Sequence, residues 1–154
     1  WNILLLIYAM LALGVVMEKS GASALLADLI KTLCTQGLGK EWQIIGALVA
    51  IYIFTAVMTE LLSNNATIAI MTPVALGVAF QFGLNAEVAR AFVLTSCIAA
   101  SASFITPIGY QTNTFVYSVG GYRFKDFAKF GFWPMLIYFV GTIVLIGFYW
   151  NLYP

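Results

Sequence analysis

The 154-residue chain has no histidine, two cysteines, four prolines and only 8% charged residues. Without histidine there is no Ser-His-Asp or Cys-His set and no His-based metal site. Cys34 and Cys97 lie too far apart for metal-ligand spacing and read as free thiols packed as small apolar groups, not as a disulfide pair. No Gly-rich phosphate loop is present, and no span carries the paired Asp, Ser-His or Glu-His group of an intramembrane protease. An enzyme is not expected. The net charge of +1 leaves no basis for nucleic-acid or polybasic-lipid binding. The first residues, from Trp1, have neither initiator Met nor a basic n-region, so a signal peptide is not expected and the chain reads as a piece of a longer protein.

What remains is apolar. Hydrophobic residues make up 62% of the chain and aromatics 16%, and the mean hydropathy is +0.97. Soluble domains carry about 25% charged residues, so this composition predicts an all-α, polytopic membrane protein. Uncharged stretches cover 1–17, 42–59, 61–86, 91–122 and 130–154. Residues 1–17 read as a span ended by Glu18-Lys19-Ser20-Gly21. In 22–33 the helical spacing of Leu25, Leu26, Leu29, Ile30 and Leu33 suits an amphipathic helix at the interface. Residues 43–82 form two apolar arms around a polar knot, as two spans or one re-entrant hairpin. Pro73 in the second arm marks a kink or a first turn.

A short turn at 82–85 precedes a helix over 86–105, whose small residues Ala99 to Ser103 offer a close-packing face. "ITPIGYQTNTF" (105–115) then breaks it, within a broken helix spanning 86–119. Residues 120–131 read as a basic, aromatic connector or interfacial helix, and 132–150 as the final span, flanked by Trp133, Tyr149, Trp150 and Tyr153. Arg123, Lys125 and Lys129 against Asp126 place that connector on the cytoplasmic side and 18–42 opposite; Arg90 marks an interface.

Two uncharged polar clusters interrupt this apolar frame: 63–67 with Ser63, Asn64, Asn65 and Thr67, and 106–113 with Thr106, Gln111, Thr112 and Asn113. Broken backbone is tolerated at membrane depth only where protein or a wet cavity satisfies its N–H and C=O groups. Carbonyls, hydroxyls and amide oxygens suit Na⁺, while amide donors and helix N-termini hold an anion without a buried formal charge. Discontinuous helices performing both tasks are the pattern of secondary transporters. The plainer alternatives are an interfacial turn at 63–65 and a Pro-kinked helix at 106–113. Glu60 is open to two readings: an ion ligand or proton carrier, or a residue beside the turn paired with a Lys.

"TELLSNNATIAIMTP" (59–73) and "SASFITPIGYQTNTFVYSVGGYRF" (101–124) resemble the second repeat of the divalent anion:sodium symporter family, which carries sulfate or di- and tricarboxylates. The resemblance implies a second inverted repeat with a re-entrant helical hairpin and a broken transmembrane helix. It assigns substrate contacts to Ser63, Asn64, Asn65, Tyr110, Gln111, Thr112 and Asn113, and Na⁺ contacts to Thr59, Asn64 and backbone at Gly109. Sodium is then the coupling ion, with no organic cofactor. The partners are a small anion, the N-terminal repeat of the same protein, the lipid bilayer and a second protomer in a homodimer, with no nucleic acid. The location is the plasma (inner) membrane, and the motion alternating access.

Asn65 replaces the family's motif Thr, and Gly-Tyr-Gln-Thr replaces its Ala-Thr-Pro. "TPIGYQTN" is similar to the sulfate-type branch with soluble regulatory domains, and Tyr110 narrows the pocket, which moves a small oxyanion ahead of a dicarboxylate. Arsenite, silicate or Na⁺/H⁺ exchange within the wider superfamily, or a non-transporting membrane scaffold, are the alternatives.

Overall fold

A computed structural model describes residues 1–153 and all of their side chains except those at positions 2, 3, 6, 10 and 41. The described residues form α1 (Asn2–Lys19), α2 (Ala22–Gly37), a 3₁₀ turn at Lys40–Trp42, α3 (Gln43–Leu61), α4 (Asn64–Gln81), α5 (Ala86–Ala100), α6 (Gln111–Gly120) and α7 (Phe124–Tyr149). There is no strand among them. α3 and α7 are each long and apolar enough to cross a bilayer, with mean hydropathies of 2.1 and 1.9, and much of their apolar surface faces outward. This is an all-α, polytopic membrane protein.

α4 is the hub. It packs against α1, α2, α3 and α5, and α5 in turn lies against α3 and α7. Small residues set the close approaches. A Cβ added at Gly77 of α4 would stand 3.4 Å from the Ala27 Cβ of α2, an ordinary contact that already fills the interface. Pro73 lies inside α4 and leaves the Ala69 carbonyl without its helical donor. Gly14 of α1 covers that carbonyl, with its Cβ position 3.6 Å from the oxygen. Phe92, Tyr52, Met71 and Val74 fill the centre, and Cys34 and Cys97 are free thiols.

Several boundaries differ from the expectations. α2 runs to Gly37, not to residue 33, and meets Ile7–Lys19 at 64° across Gly21, whose φ is 75°. The pair together also satisfies the length and composition of one bent crossing. α2 buries Ser23, Ala27, Ile30 and Cys34, while Leu25, Leu29 and Leu33 face away from the bundle. Tight contact with α4 selects the small-residue face over the leucine face. Lys31 Nζ adds a bond to the Gln81 carbonyl at 2.9 Å.

α5 ends at Ala100, so the break is 101–110 and not 105–115. The final helix starts at Phe124 and not at 132. There, Asp126 accepts from the Arg123 N–H at 2.7 Å and secures the first turn. Charges that end a hydropathy run are compatible with the first turns of a helix, so 124–131 is part of α7.

Candidate functional site

The α3–α4 break spans only Leu62 and Ser63. Ser63 is extended (φ −64°, ψ 148°), and its Oγ accepts from the Ala66 N–H at 3.3 Å, while its carbonyl accepts from the Thr67 N–H at 2.9 Å. Asn64 and Asn65, expected in the polar knot between the two apolar arms, are the first two residues of α4. Their N–H groups belong to the unpaired first turn, where the helix dipole is positive.

The second break is supported differently. Pro107 has no N–H and disfavours helix at Thr106. The Ile105 and Thr106 N–H groups instead donate to Oε1 and Oε2 of Glu60, each at 3.0 Å, and the Thr106 hydroxyl also donates to Oε2. Glu60 is buried and is thus bound to the break itself, not to a Lys. Asn113 Nδ2 donates to the carbonyls of Ser103 (3.0 Å) and Thr106 (3.2 Å), and the Thr114 hydroxyl to that of Pro107 (2.8 Å). Across the interface, Gly131 of α7 admits the Phe104 carbonyl into the space a Cβ would fill, 2.0 Å away.

The two breaks meet. The N-terminal turns of α4 and α6 border one cavity of about 560 Å³, lined by Ser63, Asn64, Asn65, Gly109, Tyr110 and Gln111 among others. No Lys or Arg is among the described residues that line it. A neighbouring cavity of about 300 Å³ is shared by Asn64, Ser101, Ser103, Tyr110 and Asn113. Two positive helix ends and neutral amide and hydroxyl donors suit an anion that must also be released.

Beside this cavity the fully buried Thr59 hydroxyl lies 2.8 Å from Asn64 Oδ1 and 2.7 Å from the Ala100 carbonyl at the C-terminal end of α5. The Thr59 hydroxyl, the Asn64 side-chain amide and the Ala100 carbonyl converge here, and hydroxyl, amide and carbonyl oxygens are the donor type that suits a desolvated Na⁺.

Of the expected residues, Ser63, Asn64, Asn65, Tyr110, Gln111 and Gly109 border the larger cavity and Thr59 joins Asn64. Thr112 borders neither cavity, and the two amide hydrogens of Asn113 are committed to loop carbonyls. Thr67 is buried within α4, with a hydroxyl that has no hydrogen-bond partner among the described residues. Sequence reasoning missed the Ala100 carbonyl, Ser101, Ser103 and Thr114. Hydroxyls at 101 and 103 just before Pro107 were the available signal, hidden in a run that reads as a packing face.

Comparison with known proteins shows the family. The family described as the sodium:sulfate symporter transmembrane region matches residues 1–153. The chain belongs to this family of divalent anion:sodium symporters, which are transporters and not enzymes. An uncharacterised transporter of Synechocystis is 41% identical over 154 residues, 100% of this chain and 24% of the relative. Probable sodium/sulfate cotransporter 3 of Chlamydomonas reinhardtii is 37% identical over 142 residues, 89% of this chain and 15% of its own length. Sodium/sulfate cotransporter 1 of the same alga is 33% identical over 155 residues, 98% of this chain and 17% of the relative. The chain therefore spans about a quarter or less of these relatives.

Proposed function

We propose that the chain is the C-terminal repeat of a sodium-coupled symporter that carries sulfate, or failing that a di- or tricarboxylate, by alternating access. The carrying observation is the double use of Asn64. Its Oδ1 belongs to the oxygen cluster with Thr59 and Ala100, and its backbone opens α4 at the anion-sized cavity. One residue then reports to both ligands, a direct route by which cation and anion binding can be coupled.

In this reading Ser63, Asn64, Asn65, Tyr110 and Gln111 contact the oxyanion, and Thr59, Asn64 and the Ala100 carbonyl contact Na⁺, with Gly109 backbone at the edge of the same cavity. Asn113 braces the break beneath them. Asn65 and Tyr110 favour the smaller oxyanion. The N-terminal repeat completes the site, and the working protein is a homodimer in the plasma (inner) membrane. The test is uptake of radiolabelled sulfate by the full-length protein in proteoliposomes under a sodium gradient. Asn64→Ala and Asn113→Ala are both expected to abolish uptake with expression intact. Normal uptake by both variants would sink the site assignment, and uptake driven by protons with no sodium dependence would favour an exchanger.

A further inference from the structure

We infer that Glu60 is a positioning residue that couples the two breaks, so that sodium at one side of the site sets the geometry of the anion donors at the other. Glu60 follows Thr59 directly and stands in the last turn of α3. Both of its carboxyl oxygens reach across to the second break, 45 residues later, and accept from Ile105 N–H, Thr106 N–H and the Thr106 hydroxyl. Glu60 is only 9% exposed, which limits competition from water for these bonds.

The connection continues in one direction. Thr106 Oγ1 accepts from the Gly109 N–H at 3.1 Å, and the next residue, Tyr110, is the N-cap of α6. From the oxygen cluster the chain of contacts is therefore Thr59, Glu60, Thr106, Gly109, and then the donor end of α6 at the cavity. Gly109 is built around this contact. A Cβ there would fall 2.0 Å from Ser103 Oγ, 2.8 Å from Glu60 Oε2 and 3.1 Å from Thr106 Oγ1.

Three donors from the second break face the two carboxyl oxygens, which ties Glu60 to that break. The arrangement transmits: a cation that draws Thr59 and Asn64 together also fixes Glu60, and Glu60 fixes 105–109. This inference rests on the reading of the site as a sodium-coupled oxyanion site.

The experiment uses the purified full-length protein. Sulfate affinity is measured by calorimetry at low and at saturating sodium, and amide exchange of 101–110 is measured with and without sodium. The wild type is expected to bind sulfate about tenfold more tightly at saturating sodium, within the usual span of coupling factors. In Glu60→Gln an amide NH₂ replaces one acceptor and faces backbone donors, so the ratio should fall towards one and the sodium response of 101–110 should vanish. Thr106→Val should lose most of the coupling and Thr106→Ser should keep it, a contrast that holds even where Glu60→Gln fails to fold.

A folded Glu60→Gln, or a Thr106→Val, that keeps the wild-type sodium ratio overturns the inference. Sodium-dependent exchange in a wild type that binds no sulfate retires the sulfate reading alone, and Glu60 is then judged on exchange. No sodium response in either wild-type measurement overturns both.

Discussion

Between α3 and α4 the chain leaves helix for two residues, Leu62 and Ser63; between α5 and α6 it leaves for ten, 101–110. The short break is closed by its own side chain, since Ser63 accepts from Ala66 three residues on. The long break borrows its partners from Glu60 on α3, from Asn113 and Thr114 on α6, and from the room left by Gly131 on α7. A short interruption can be specified locally by a capping residue. A long one at membrane depth needs remote donors and acceptors, because lipid supplies none.

Damage should therefore be larger at remote supports of the long break than at the cap of the short one. Gly131→Ala should be the most severe. Its Cβ would meet the Phe104 carbonyl carbon at 2.5 Å as well as the oxygen, and backbone cannot yield as a flexible side chain does. A loss of about 3 kcal/mol or more is expected, at the upper end of overpacking costs, visible as a large fall in thermal midpoint. Thr59→Val comes next. It preserves shape and removes a hydroxyl facing two oxygens, so the sodium half-saturation of uptake should rise about tenfold, the worth of one hydrogen-bond-class contact to a charged group.

Ser63→Ala should cost about 1 kcal/mol of stability, and Ser63→Gly only a few tenths. Thermal unfolding in matched detergent reads both. A Ser63→Ala protein less stable than Gly131→Ala would reverse the order and remove the distinction between a locally and a remotely supported break.

The same distinction explains what could be read from the residues alone. Apolar runs punctuated by charges predict the spans, and Ser63-Asn64-Asn65 marks the short break because the cap that makes it is part of the motif. The long break was expected to begin four residues late, at 105–115 rather than 101–110. Ala99 to Ser103 have the composition of a helix-packing face, and the groups that end α5 early lie near residues 60 and 131, where no local pattern announces them. The start of α7 was missed for a related reason. Lys125, Asp126 and Lys129 interrupt hydropathy without interrupting a helix. On α2 the spacing of the leucines marks an apolar side but does not announce the face that packs on α4, which Ala27 forms opposite Gly77. Small residues let two helices approach closely, a preference that an apolar spacing alone does not reveal.

α6 buries none of its ten residues within this chain. Its first turn nevertheless supplies half of the donor end at the cavity, so any spread in the orientation of that helix would weaken anion binding. Apparent affinity falls by the fraction of molecules already holding the competent arrangement. Anything that seats the outer face of α6, with Phe115 and Val119 turned away from the bundle, would then tighten anion binding without touching the anion, an affinity gain through preorganisation alone.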